Sequence, residues 1–156
     1  MLDLTIPGFG RLEITNAVFD YNGTLAADGL LLEGVQERIW HLSSQLRMHV
    51  VTADTFGSAA MQLQRLPCAL AILDAGNQAE GKRDFVQNLG ADHVVAIGNG
   101  RNDRMMLDAA RLGIAVCGAE GAAAESVQVS DIVVHHVVDA LDLLLKPKRL
   151  LATLRA

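Results

Sequence analysis

Three polar residues stand where three apolar runs stop. Asp20 ends Ala17-Val18-Phe19, Thr52 ends Met48-His49-Val50-Val51, and Asn99 follows the run from His93 to Ile97 through Gly98. In an open parallel sheet, ligands bind outside the carboxyl ends of the strands, so these side chains emerge at one edge. Asn102 and Asp103 follow close behind. One polar strand end merely begins a loop. Three that converge, with a second carboxylate nearby, make a candidate binding or catalytic edge.

The elements that must position them follow from periodicity. Leu2, Leu4 and Ile6, the turn Pro7-Gly8-Phe9-Gly10, then Leu12 and Ile14 alternate as a β-hairpin over residues 1–15. Strands are expected at Ala17–Phe19, Met48–Val51, Ala69–Leu73, His93–Ile97, Ile114–Val116 and Ile132–His135. Between them, helical spacing starts near Glu33, with Val35, Ile39, Leu42 and Leu46 on one face. Further helices are expected over about 57–65 (stopped by Pro67), 79–89 (stopped by Gly90), 102–111 and 122–127. Strands alternating with helices predict an α/β core, 16–135, with a doubly wound, mostly parallel Rossmann-like sheet covered on both faces. An apolar C-terminal region, 136–156, should form two short helices because Pro147 interrupts it.

Composition narrows the function. Of 156 residues, 51% are hydrophobic and only 4% aromatic, which suits a single domain with an aliphatic core. Net charge is -5 without a basic block, so neither a basic face nor aromatic stacking platforms are available for nucleic acid. No apolar run approaches the roughly 18 to 20 residues of a membrane span, and the N-terminus lacks a signal-peptide pattern. Cys68 and Cys117 form no CxxC, and reduced thiols in a cytoplasmic protein are expected.

The stretch Val18-Phe19-Asp20-Tyr21-Asn22-Gly23-Thr24-Leu25 resembles the first motif of the haloacid dehalogenase superfamily, in which a DxDGT core follows a strand. Thr52 matches the second motif, Lys82 after Glu80-Gly81 the third, and Gly98-Asn99-Gly100-Arg101-Asn102-Asp103 the fourth, usually GDGxND. Their order and strand context agree over residues 16–117. Within the superfamily the chain looks most like stand-alone soluble proteins resembling the phosphorylation domain of P-type ATPases. The resemblance implies a Mg²⁺-dependent phosphohydrolase with Asp20 as nucleophile, forming an aspartyl-phosphate. It implies Mg²⁺ held by Asp20, the Asn22 main-chain carbonyl and Asn99, with Asp103 in the first shell or holding a metal-bound water. Gly23, Thr24, Thr52, Ala53 and Asn102 would surround the phosphoryl group, with Lys82 neutralising its charge.

Two positions depart from the pattern. Superfamily phosphatases carry a general acid/base Asp where this chain has Asn22, and a metal-binding Asp where it has Asn99. Asparagine moves no proton, which costs general acid–base catalysis a factor of about 10² to 10⁴. P-type ATPases have Thr at the position of Asn22, and their aspartyl-phosphate is long-lived. A pocket poorer in carboxylates should hold a phosphate dianion better and Mg²⁺ less well, at about millimolar affinity. The expectation is slow turnover, or alternatively a non-catalytic phosphate-binding or regulatory module.

No inserted cap domain fits, since only eight residues separate Thr24 from Glu33. The site should be open to a phosphorylated small molecule or phosphoprotein, with a homo-oligomer as a possible cover. The stripe Leu141, Leu144, Leu145, Leu150, Leu151 and Leu154 reads as core or as that subunit contact. His135 and His136 lack a partner at metal-ligand spacing.

Overall fold

The computed structural model describes residues 1–54 and 57–156. Its centre is a six-stranded, wholly parallel sheet of β3 (Asn16–Phe19), β6 (Arg47–Thr52), β7 (Cys68–Ile72), β8 (Val94–Gly98), β9 (Leu112–Val116) and β10 (Ile132–Val134), in the order β10-β9-β8-β3-β6-β7. The strand order reverses between β3 and β8, and in such sheets the crevice at that switch point is where ligands bind.

Alternation along the central strands sends side chains to two covering layers. Ala17 and Phe19 of β3, with Val95 and Ile97 of β8, face the larger core beneath α1 (Val35–Leu42) and α6 (Val137–Leu145). Val18, Val94 and Ala96 face the smaller core. That second face is covered by α3 (Gln78–Asn88) and α4 (Arg104–Ala109), through Val86, Met106 and Leu107. Both faces are dry, which is why these strands read as continuous apolar runs.

The N-terminal hairpin forms as expected, β1 (Leu2–Ile6) pairing antiparallel with β2 (Gly10–Ile14), but as a separate sheet. α7 (Pro147–Leu154) follows α6 with its proline in the first turn, where the missing N–H costs nothing. Of the C-terminal leucine stripe, Leu141, Leu144 and Leu150 are buried, and Leu145 and Leu154 pack against the same core.

Two stretches differ from expectation. The loop after the first motif contains a second small hairpin, β4 (Ala26–Ala27) with β5 (Leu30–Leu31), too short for alternation to reveal. Residues 101–103 form a 3₁₀ turn before α4 rather than the start of an α-helix, because Asp103 turns back to bond the preceding loop. The remaining helices, α2 (Ser58–Leu63) and α5 (Ala124–Val129), sit within a few residues of where periodicity puts them. Among the described residues no helix is long and apolar enough to cross a membrane.

Candidate active site

Asp20 lies one residue past β3, Asn99 one past β8, and Thr52 is the last residue of β6, so all three meet at the carboxyl edge beside the switch point. Lys82 comes from α3. With Ala79 and Val86 it occupies the inward stripe of that helix, spaced three and four residues apart, where an apolar side chain would be usual. A lysine there needs a buried anionic partner. It has two, for Nζ lies 2.6 Å from Asp20 Oδ1 and 2.6 Å from Asp103 Oδ1.

Asp103 is used entirely within the fold. Its second oxygen, Oδ2, accepts from the main-chain N–H of Asn99 at 2.9 Å and of Gly100 at 2.8 Å. Glycine at 98 makes room for this, since a Cβ there would sit 2.7 Å from Asp103 Cγ. Asp103 is fully buried and does not line the open cleft. It stands behind the site, holding Lys82 and the turn after β8.

Asp20 accepts at Oδ2 from the Thr24 hydroxyl at 3.3 Å, and the same hydroxyl lies 3.2 Å from Asn99 Oδ1. Asn99 Nδ2 donates to the Gly121 carbonyl at 3.1 Å, which sets its oxygen toward Thr24 and Asp20. Burial, then the Asp103 charge, pushes the Asp20 carboxyl up to about 7 against the pull of Lys82. For Lys82, burial disfavours the charged form, but Asp20 and Asp103 outweigh it and hold the ammonium above its ordinary range. With both carboxylates ionised the cluster carries one negative charge in excess, which the raised Asp20 value relieves at lower pH.

The cleft above is polar and has a volume of about 310 Å³. Asp20, Asn22, Thr52, Ala53, Asn99 and Asn102 all line it. Thr52 Oγ1 accepts from the Asp54 N–H at 3.3 Å, leaving the hydroxyl proton free to donate into the cleft. Asn102 Nδ2 donates to Gln78 Oε1 at 2.7 Å, tying the loop after β8 to the start of α3. Gly23 and Thr24 are buried under the floor and open onto a neighbouring cavity of about 120 Å³ instead. Gly23 has φ +81°, and a Cβ on it would meet the Asn99 amide, so the turn after Asp20 requires glycine.

Four cleft residues lie outside the motifs, Ser58 at the start of α2 among them. Asp54 follows Thr52 and caps α2 through the N–H groups of Ala59 and Ala60, at 2.8 and 3.1 Å. Gln78 arrives with α3, and Glu120 reaches the cleft from the loop after β9. Position at the carboxyl edge was the available signal for Asp54 and Glu120. His136 caps α6 by accepting from the Val138 N–H, and its neighbour His135 lines the smaller cavity. A larger groove of about 660 Å³ opens at the amino ends of β3, β6 and β7, but no carboxylate lines it.

Among the described residues no group of three or more His, Cys, Asp and Glu side chains is placed to hold a metal ion. The oxygens that are present are nonetheless suited to a hard cation. The Thr24 hydroxyl has one proton to offer two acceptors, Asp20 Oδ2 and Asn99 Oδ1, so one acceptor is in surplus. With a single carboxylate in this pair, such a site fits weakly bound Mg²⁺ that keeps several waters.

Comparison with solved structures defines the class: the chain has the haloacid dehalogenase fold, with no inserted domain over the site. 3-Deoxy-D-manno-octulosonate 8-phosphate phosphatase from Moraxella catarrhalis, in complex with magnesium ion, phosphate ion and KDO, is 17% identical, with a TM-score of 0.68 over 90% of each chain. The cobalt-bound phosphatase of that type from Haemophilus influenzae is 15% identical, with a TM-score of 0.72 over 92% of this chain and 94% of its own. A putative phosphatase of the same kind from Vibrio cholerae gives 14% identity and 0.72 over 94% and 96%. No family model matches the chain. By sequence it belongs with the uncharacterized protein MJ0073 of Methanocaldococcus jannaschii, being 55% identical over 62 residues, which are 40% of this chain and 67% of that protein. The uncharacterized protein MJ0072 of the same organism is 42% identical over 38 residues, 24% of this chain and 86% of that protein.

Proposed function

We propose that the chain is a slow, Mg²⁺-dependent phosphohydrolase that passes through an aspartyl-phosphate on Asp20. The observation that carries this reading is the Asp20 carboxylate, fixed by Lys82 Nζ at 2.6 Å beneath an open polar cleft at the switch point. An oxygen of Asp20 attacks phosphorus, the ester oxygen departs, and water later cleaves the acyl phosphate to restore the carboxylate. Thr52 Oγ1 and the N–H groups after Asp20 and Thr52 bind the phosphoryl oxygens. Lys82 offsets the charge that builds there. Asp20, the Asn22 carbonyl and Asn99 would hold Mg²⁺, which when bound lessens the repulsion between Asp20 and a phosphate dianion. Asp103 supports this arrangement through Lys82 and the Asn99 N–H.

Turnover is slow because Asn22 lines the cleft but neither gives a proton to the leaving group nor takes one from water. The motif Gly98–Asp103 adds to this picture, since the P-type ATPases it resembles form a long-lived phosphoenzyme. The substrate is a phosphate ester, either a small molecule or a phosphoprotein. Phosphorylated sugar acids head the panel because several structural neighbours are phosphatases of that class. A second copy of the chain is the proposed cover for the uncapped site. The two free thiols, Cys68 and Cys117, support a reducing, cytoplasmic setting.

Release of phosphate from an aryl phosphate with millimolar Mg²⁺ tests the reading, and equal rates for wild type and Asp20→Ala would remove Asp20 from the mechanism. Asn22→Asp should raise turnover by about 10²-fold if only the acid/base group is missing. The second reading, a phosphate-binding module without turnover, is favoured by Asn99, whose amide is committed to the Gly121 carbonyl. It predicts no hydrolysis of any ester, and no Mg²⁺-dependent stabilisation by beryllium fluoride.

A further inference from the structure

Glu120 brings to the cleft a carboxylate that none of the four motifs contains. It lies on the turn from Gly118 to Gly121, closed by the Gly121 N–H to the Gly118 carbonyl at 2.9 Å. Asn99 holds that turn at two points: Nδ2 donates to the Gly121 carbonyl at 3.1 Å, and the Ala123 N–H donates to the Asn99 carbonyl at 2.8 Å. An aspartate at 99 would instead set a carboxylate oxygen against the Gly121 carbonyl. The carboxamide that departs from the family pattern therefore fixes the turn that carries Glu120.

The Glu120 side chain lies over Gly23. Its Oε2 is 2.7 Å from the point where a Cβ on Gly23 would sit, and the Asn99 amide nitrogen crowds the same point. The carboxylate thus stands one residue along the loop from Asn22, where superfamily phosphatases carry their acid/base group. It shares that point with the nitrogen of the Asn99 amide, whose oxygen lies against the Thr24 hydroxyl. Among the described residues it makes no hydrogen bond or ion pair, and it lines the cleft together with Asp20 and Asn22. Its side chain is exposed, so its free oxygens are open to water in the cleft.

We propose that Glu120 is the general base for hydrolysis of the aspartyl-phosphate, taking the base half of the role left vacant by Asn22, while the acid half stays empty and keeps turnover slow. This rests on Asp20 being the nucleophile. Water oxygen bonds to phosphorus, the bond from phosphorus to the Asp20 oxygen breaks, the water proton passes to the Glu120 carboxylate, and inorganic phosphate leaves.

The test is phosphorylation with acetyl phosphate and millimolar Mg²⁺, with the label on Asp20 followed by intact mass and its decay timed after dilution. Glu120→Gln should still acquire the label but lose it about 10²-fold more slowly than wild type. Formate should speed decay in Glu120→Ala and leave wild type unchanged. Equal decay in wild type and Glu120→Gln, or no formate effect on a slowed Glu120→Ala, would overturn the proposal while leaving Asp20 as nucleophile. No label on Asp20 in any of the proteins would remove the nucleophile, and the base with it.

Discussion

Two of the chain's ionic clusters have opposite make-up. At the candidate site one cation, Lys82, lies between two carboxylates, and its side chain is 1% exposed. At the junction of α1 with α6 and α7 one carboxylate, Asp142, meets three cations: Arg38 at 2.7 Å, Lys146 at 2.9 Å and Arg149 at 3.6 Å. There the cations are 21 to 56% exposed and solvent shares the charge. Loss of Lys82 from the first cluster leaves two buried carboxylates without a counter-charge, whereas the second cluster stays solvated whichever member is removed. An excess of anion held dry beside a cleft is expensive for folding alone and useful for chemistry. A surplus of cation at the surface is merely a clasp between helices.

Lys82→Met is the sharpest way to break this contrast. It leaves Asp20 and Asp103 facing each other without a counter-charge, and unfolding by urea should show a loss of about 3–5 kcal/mol. Adding Asp103→Asn should recover part of that loss. A neutral outcome for Lys82→Met would mean that the cluster is solvated.

A smaller effect is expected from Asp20→Asn in metal-free protein. The folded-state value of Asp20 is raised to about 7, so the folded chain keeps a proton that the unfolded chain releases near pH 4. The ionised carboxylate therefore lowers stability progressively as pH climbs through that window. The advantage of Asp20→Asn in Tm should accordingly be larger at pH 8 than at pH 5, and an equal difference at both would contradict the burial argument.

The least effect is expected at the surface cluster. Asp142→Asn should cost about 1 kcal/mol, and less at high salt. Hydrogen bonds from Lys146 and Arg38 hold the Asp142 carboxyl below its usual range. Its contribution is present above about pH 4 and is lost as pH falls further, so wild type and variant should converge in acid. A salt-independent loss of several kcal/mol would place this cluster with the buried one.

The same contrast separates what could be read in the sequence from what could not. Asp20, Thr52 and Asn99 were legible because each ends a buried strand, and a strand end has only one edge at which to appear. Lys82 was legible from motif order, and in retrospect from its place on the inward stripe of α3. The hairpin at 26–31 was hidden because two-residue strands carry no period. Motif order places Asp103 near the metal without giving the direction of its oxygens. The structure supplies that direction: its oxygens turn toward Lys82 and the N–H groups of Asn99 and Gly100. Glu120 lies outside any motif because its approach depends on a turn held by Asn99, through contacts across 22 and 24 residues that no local pattern encodes.

The central claim is that Asp20 carries the phosphoryl group. Incubation with acetyl phosphate and Mg²⁺, followed by mass spectrometry of the intact chain and its peptides, tests it directly. The account predicts one phosphoryl group, labile to hydroxylamine, located on Asp20 and absent from Asp20→Ala. An unmodified wild-type chain, or an equal label on Asp20→Ala, would contradict it.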